Sequence, residues 1–425
     1  MNKFDSNYYI QTTLGELVSK EKKSIISGPF GSNIGKIFFK EKGIPVIRGN
    51  NLSTGGEKFK DDGFVFITRE KADELNCYAI KNDLIFTAVG TIGQVGIIDE
   101  KLNYNEYVIS NKQLRVRFDN KKITPLFAYY WFSSYWIQKL ILQRNVGSTV
   151  PLINLSVLKG LPIALPKSLS VQTGIVEVLE NISIKIELNN RINAELEAMA
   201  KTLYDYWFVQ FDFPDKNGKP YKTNGGKMVW NEELKREVPE GWEVKDLQEI
   251  AKCIMGQSPK GESYNQDGIG IPLLNGPADY ENGALKGRTY TTEPTRLCQM
   301  DDLVLCIRAT IGNLVYAEQE FCLGRGVAAV RTNDKRLSEL IYFLLIQEIE
   351  RFKIQATGSI IVGITKDDLI KSKCLIPTEE LIDSFHELVK PQFDKIRINI
   401  KENQKLTELR DWLLPMLMNG QVKVN

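Results

Sequence analysis

The sequence predicts an α+β protein built as a tandem duplication, in which two domains of short strands and helices are each followed by a long coiled-coil-like helix. Three observations predict it. From Val171 to Pro214 apolar residues recur at steps of three and four, at Leu179, Ile182, Ile186, Leu196, Ala200, Leu203 and Trp207, which is the pattern of a helix seam. A second stretch, Leu381 to Met418, has similar length and charge decoration and the same ending: LYDYWF at Leu203 to Phe208 answers LRDWLL at Leu409 to Leu414. Ahead of each helix lie segments that match in order across the two halves.

The first domain, residues 1–168, reads as strands and turns. Ile44 to Arg48, Phe64 to Ile67, Asp83 to Thr87, Val95 to Ile98 and Gln113 to Phe118 are β-rich runs separated by Gly, Asn and Asp. Ile123 to Arg144 breaks the pattern with an aromatic, helical segment whose rings are expected in the core.

The first long helix, residues 169–212, spans roughly 57 Å from Val171 to Phe208 at ~1.5 Å per residue. Asn189 and Asn193 fall where its seam expects apolar residues. Polar seam residues cost stability but fix register and partner, so the helix is expected to pair with one specific helix, the second one of the same chain. The seam of that second helix, residues 379–425, is taken to include Ile396, Leu409 and Trp412. Residues 213–241 form a polar, Gly- and Lys-rich connector, expected as a surface crossing. The second domain, residues 242–378, repeats the first with strands at Val304 to Arg308 and Val327 to Arg331 and a helix at Leu337 to Phe352.

The duplication shows in its details. Gly43-Ile-Pro-Val46 matches Gly270-Ile-Pro-Leu273, a shift of 227. Asn82-Asp-Leu-Ile-Phe86 followed by Gly90-Thr-Ile-Gly93 matches Asp301-Asp-Leu-Val-Leu305 followed by Ala309-Thr-Ile-Gly312, a shift of 219. Gly147-Ser148 matches Gly358-Ser359, a shift of 211. A falling shift with preserved order means that framework elements were kept while the loops between them changed length.

Composition narrows the function. Lys+Arg 55 against Asp+Glu 53 gives a net charge of only +2, so a polyanion must be met by local patches. Six cysteines and one histidine, His386, offer neither metal-ligand spacing nor a disulfide framework, and His386 is expected as a surface or packing residue. There is no phosphate loop, dinucleotide fingerprint or nucleophile elbow, so no catalytic residue and no metal site is expected. The N-terminus has no apolar signal core and no run of ~18 apolar residues occurs, so a cytoplasmic protein without a membrane is expected.

What remains is a binding vocabulary in turns. The first domain carries Ser27, Arg48, Asn50, Gln113, Arg144 and Thr149 in such turns; the second carries Ser258, Lys260, Asn275, Arg308, Arg325 and Ser359. Gly-rich turns leave N–H groups approachable beside Ser, Thr, Lys and Arg, which suits phosphate oxygens. Arg, Asn and Gln make the two-pronged contacts that tell guanine from adenine. These twelve are the candidate DNA-binding residues, with Ser27 and Thr149 placed nearer phosphates.

The order of domain, long helix, domain, long helix resembles the specificity subunit of Type I restriction-modification enzymes over essentially the whole chain. It is carried by SGPFGSN at Ser27 to Asn33, GIPVIRGNNL at Gly43 to Leu52, GSTVPLINLSVLKGLPIALP at Gly147 to Pro166, LYDYWFVQFDFP at Leu203 to Pro214, VPEGWEV at Val238 to Val244 and MGQSP at Met255 to Pro259. The resemblance implies two α/β target recognition domains, each reading half of a bipartite double-stranded DNA site. It implies that the helices pack antiparallel as a spacer and dock methyltransferase subunits, two of them, with a restriction subunit in the full complex. S-adenosylmethionine, ATP and Mg²⁺ would then sit on those partners. The second half departs from the pattern at Gly358 to Gly363, where Ile360 stands opposite Thr149. Two rival classes are a fused or degenerate nuclease, marked by activity on DNA in Mg²⁺ without partners, and an interaction scaffold whose globular units bind peptides, marked by a pull-down that recovers no methyltransferase together with no DNA shift at low salt.

Overall fold

Short β-branched and aromatic runs close into sheets here because each finds a partner strand within its own repeat. The computed structural model describes residues 8–52, 58–99, 102–147, 149–308, 311–356 and 363–424. It divides into two units, Met1–Glu187 with Lys405–Asn425, and Leu188–Gln404. Each unit thus holds one globular domain, the start of one long helix and the end of another stretch of helix.

The first unit opens with β1 (Tyr9–Thr13), β2 (Ile25–Ser27), β3 (Ile44–Ile47), β4 (Val65–Ile67), α1 (Arg69–Leu75) and β5 (Tyr78–Ile80). It continues with β6 (Leu84–Thr87), β7 (Val95–Ile97), β8 (Glu106–Ile109) and β9 (Gln113–Val116). Then come α2 (Pro125–Phe132), α3 (Tyr135–Gln143), α4 (Leu155–Lys159), β10 (Pro162–Pro166) and the long helix α5 (Leu169–Tyr204). Strands β2-β9-β6-β7 form one antiparallel sheet; β4-β3-β8-β5 form another, in which β3 and β8 run parallel. Strand β1 pairs with β10, Tyr9 opposite Pro166, and so ties the chain start to the strand that feeds α5. Helix α2 starts where Thr124 Oγ1 accepts from Phe127 N and Pro125 occupies the first turn. It is apolar all round, and Phe127 to Phe132 are all buried, the core placement that the sequence predicts for these rings.

The second unit holds β11 (Met228–Asn231), β12 (Arg236–Pro239), β13 (Glu243–Asp246), α6 (Leu247–Ile250), β14 (Ala251–Met255), β15 (Tyr264–Asn265) and β16 (Ile271–Leu274). These lead to β17 (Tyr280–Glu281), β18 (Ala284–Leu285), β19 (Thr289–Thr291), β20 (Leu297–Cys298), β21 (Leu303–Cys306), β22 (Leu314–Tyr316), β23 (Phe321–Leu323) and β24 (Val327–Thr332). Last are α7 (Ser338–Ala356), α8 (Lys366–Ile370), β25 (Lys373–Ile376) and α9 (Glu379–Met418). The sheets repeat the first unit's plan: β14-β24-β21-β22 answers β2-β9-β6-β7, and β13 with β25 answers β1 with β10. The sheet β15-β19-β16-β23-β20 answers β4-β3-β8-β5, and its β16 and β23 are parallel as β3 and β8 are.

A buried carboxylate recurs at the same turn of both repeats. Arg117 donates from Nε and a terminal nitrogen to the two oxygens of Asp83, both at 2.8 Å; Arg331 does the same to Asp302, both at 2.8 Å. The preceding residues, Asn82 and Asp301, have φ of 71° and 72°, a left-handed conformation that short polar side chains tolerate. Such two-pronged ion pairs orient a turn rigidly.

The long helices meet within each unit. In the first, Ile175, Val176 and Leu179 of α5 share a core with Leu417 and Met418 of α9. In the second, Ala200, Tyr204, Trp207 and Phe208 share a core with Ile382, Phe385, Val389 and Phe393, and Phe208 meets Phe385 edge-on at 4.8 Å between ring centres. Asn189 lies buried and donates to Asn403 Oδ1 at 2.9 Å and Glu402 Oε2 at 2.8 Å, while Asn399 donates to Asn193 Oδ1 at 2.8 Å. The pairing is antiparallel, since the partner number falls from 403 to 399 as α5 advances from 189 to 193.

Two expectations change. Leu409 and Trp412 are exposed, Trp412 by 57%, while Leu413, Leu414 and Leu417 turn inward. In the register of the repeat, Trp412 corresponds to the exposed Tyr206 and Leu413 to the buried Trp207, so the inward face of this helix end passes through Leu413 and Leu417. Ile182, Ile186, Leu196, Leu203 and Ile396 are half-buried. The connector is also more than a crossing. After a π-type turn at Asp205–Val209, Phe211 takes φ 67° and ends the helix. Phe211 and Phe213 then pack on Trp242, with ring centres at 5.5 and 5.2 Å, and β11 and β12 form a hairpin between them in sequence. His386 packs as expected, its Nδ1 at 2.7 Å from the buried Glu339 carboxylate.

Candidate nucleic-acid interface

Loops at the ends of β2, β3 and β6, with the turn before β9, converge in the first unit because backbone hydrogen bonds tie each to the next. Gly28 N donates to Gln113 O at 2.9 Å, Ser110 N to Ile47 O at 3.0 Å, and Ala88 N to Lys112 O at 2.7 Å. The loop that follows α3 joins them: Gly90 N donates to Pro151 O and Ile153 N to Ala88 O, both at 2.9 Å. A Cβ on Gly28 would lie 1.8 Å from Ser110 O, so only glycine permits this approach.

The loops enclose an open cavity of about 580 Å³ lined by Arg48, Asn50, Thr91, Gln94, Asn111 and Lys112 and, on its apolar side, by Ile34 and Phe39. Asn51 is the tie that shapes it. Its Oδ1 accepts from Arg48 N at 2.9 Å, and its Nδ2 donates to Lys60 O at 3.0 Å and Asp62 O at 2.8 Å. Arg48 donates to Gly63 O at 3.0 Å, while its buried Nε has no protein partner. An unpaired buried donor is costly, which suits a side chain that completes its bonding on a ligand. Gln94 bridges two loops, accepting from Thr87 Oγ1 at 2.9 Å and donating to Leu52 O at 3.0 Å.

The second unit builds the same convergence. Gly256 N donates to Val327 O at 3.0 Å, Gly324 N to Leu274 O at 2.7 Å, Ile307 N to Gly326 O at 3.0 Å and Ile364 N to Ile307 O at 2.9 Å. Asp279 replaces Asn51, its Oδ2 accepting from Asn275 N at 2.6 Å and Gly276 N at 3.1 Å. A Cβ on Gly326 would lie 2.0 Å from Asn275 O. Asn275, Arg308, Arg325 and Lys260 are exposed around this floor, and Arg325 Nε donates to Ser258 Oγ at 3.2 Å. Among the described residues Arg48, Lys112, Arg308 and Arg325 pair with no carboxylate, which leaves four cations available to an anion.

The sequence-predicted residues therefore sort by role. Ser27, Arg48, Asn50 and Thr149 in the first unit, and Ser258, Lys260, Asn275, Arg308 and Arg325 in the second, lie on the converging loops. Gln113 is fully buried. Its amide donates to Ile47 O at 3.1 Å and accepts from Gly49 N at 3.1 Å, so it positions the Arg48 loop and offers no edge to a base. Arg144 donates to Gly160 O at 2.7 Å at the C-terminal end of α4, a helix-capping contact. Ser359 lies outside the described residues. Asn111 and Lys112 belong to the same turn as Gln113, Thr91 lies within the GTIG motif and Gln94 directly after it, yet none of the four is among the twelve candidates.

Known proteins share this plan. The family described as Type I restriction modification DNA specificity domain matches twice, at residues 11–198 and 239–408. A Methanocaldococcus jannaschii protein assigned as the type I restriction enzyme MjaX specificity subunit is 28% identical over 392 residues, covering 90% of this chain and 88% of its own. The type I restriction enzyme HindI specificity subunit of Haemophilus influenzae is 23% identical over 412 residues, covering 80% and 87%. The crystal structure of a Type-I restriction-modification system S subunit from M. genitalium superposes with a TM-score of 0.55 over 98% of this chain and 97% of that one, at 18% identity, which shows a shared fold.

Proposed function

Because the chain belongs to the Type I restriction-modification DNA specificity family, we propose that it directs a methyltransferase to a bipartite DNA site, each unit reading one half. It is the recognition subunit of such a complex and leaves the chemistry to others. The observation that carries this reading is the repetition of one loop platform: in both units strand-end loops are locked by backbone bonds and buried polar ties, and they present Arg, Asn and Lys side chains. A rigid platform lowers the ordering cost of binding, and its cations meet phosphates while Arg and Asn read base edges. With a net charge of +2, partner subunits would supply much of the salt-dependent affinity.

The paired helices set the interval between half-sites and dock the methyltransferase subunits, two per chain. Exposed Leu409 and Trp412 in the first unit, and Leu388 and Ile398 in the second, support docking, since apolar side chains on an otherwise polar helix mark association surfaces. S-adenosylmethionine, ATP and Mg²⁺ act on the partner subunits. The experiment is methylation of duplexes by the assembled complex with each half-site scrambled in turn: either scramble abolishes methylation, and persistence with one half absent contradicts two-domain reading.

A further inference from the structure

Resting on the reading above, we propose that Phe30 is a wedge that enters the DNA base stack in one half-site and has no counterpart in the other. Phe30 is 84% exposed, the largest apolar group on the loop that leaves β2. The loop does not hang freely. Gly28 N is bonded to Gln113 O and Phe30 O accepts from Asn33 N, both at 2.9 Å, and a Cβ on Gly31 would meet the Asn111 amide at 3.0 Å. The ring is therefore held out from a fixed base beside the cavity that Arg48, Asn111 and Lys112 line.

The surroundings name the occupant. The cavity beside the ring is lined by Arg48 and Lys112, and the segment that follows the ring carries exposed Lys36, Lys40 and Lys42 with Ile37, 81% exposed, among them in sequence. An exposed apolar ring beside a cavity that carries cations suits a polyanion with an apolar interior, which is a DNA duplex. Apolar side chains inserted at a base step partly unstack it and kink the helix, at a few kcal/mol repaid by added contact. The second unit differs at the matching place. Gly256 bonds to Val327 O as Gly28 does to Gln113 O, so Ser258 stands where Phe30 does, and its hydroxyl is engaged by Arg325.

The test uses the chain assembled with its methyltransferase subunits and duplexes carrying 2-aminopurine at successive positions of each half-site, away from the methylated base, which methyltransferases flip out. Expected is a fluorescence rise at one step of the half-site read by the first unit and none in the other. Phe30→Ala abolishes the rise and weakens binding about tenfold, the loss of one stacked base, whereas Phe30→Leu retains part of both. Equal signals for wild type and Phe30→Ala, with the motif still methylated, overturn the wedge and leave the recognition role standing. Phe30→Ala that disrupts subunit assembly also overturns it, assigning the ring to a protein contact. No binding to any motif by the wild-type complex sinks the recognition role itself.

Discussion

Asn189 of α5 and Asn403 of α9 hold each other across the second unit's helix pair, Nδ2 to Oδ1 at 2.9 Å, with Asn403 donating in turn to Asn190 Oδ1 at 2.8 Å. Both asparagines are buried. Replacing one by alanine strands a buried amide and costs about 1–3 kcal/mol. Replacing both by leucine is expected to be neutral or stabilising while loosening register. Denaturant midpoints of the singles and the double check this; a double variant as destabilised as the sum of the singles contradicts the polar layer as a register device.

Asp83 and Asp302 predict an asymmetry between the repeats. Asp83 compensates two arginines, Arg117 and the 4%-exposed side chain of Arg115 at 3.6 Å, whereas Asp302 pairs with Arg331, whose side chain is 30% exposed. Burial holds the Arg115 guanidinium below its ordinary pKa, opposed by the Asp83 charge. Asp83→Asn should therefore cost about 3–5 kcal/mol and Asp302→Asn clearly less, read from thermal or denaturant unfolding. Equal losses would contradict the assigned role of Arg115.

The carboxylates and their arginines lie 34 and 29 residues apart, so no local pattern marked them in the sequence. The repeat itself was legible because framework motifs kept their order, and Asn189 and Asn193 stood out as polar interruptions of an apolar period. Leu409 and Trp412 misled because an apolar side chain near a helix end reads as seam whether it turns inward or outward, and Gln113 because a buried amide and a base-reading amide look alike in a turn. Phe213 was hidden in a connector whose average composition is polar although its start belongs to a core, and Phe211 lay within the bounds expected for the long helix, which ends before it.

Base reading by the two platforms should separate genetically. Arg48→Ala is expected to relax one half-site and Arg308→Ala the other, each by about 1–3 kcal/mol of discrimination, in methylation of single-substitution duplexes. Asn51→Ala should mimic Arg48→Ala, because it frees the loop that Arg48 leaves. Uniform loss across both halves would contradict the assignment.

Removing one heptad from α5 and the matching heptad from α9 shortens the pair by roughly 10 Å at ~1.5 Å per residue, or about three base pairs at ~3.4 Å each. The methylated motif should keep both half-sites and lose about three base pairs of interval; an unchanged interval contradicts the ruler.

Burial pushes the thiols of Cys77, Cys253 and Cys306 up to about 11 and those of Cys298 and Cys374 up to about 12. Raised acids favour the folded state below their unfolded pKa of ~8.5, and that contribution fades as pH climbs toward 11–12. Folded protein at pH 8 should alkylate slowly, with half-buried Cys253 first, and the denaturant midpoint should fall between pH 8 and pH 10. Rapid labelling of the buried cysteines would contradict the packing.

The most direct test of the central claim is methylome sequencing of a methylation-negative host expressing this chain with and without a cognate methyltransferase subunit. The account predicts one split motif, methylated only when both proteins are present, with two read blocks separated by a fixed unread interval. A continuous motif, or a motif methylated without this chain, would contradict it.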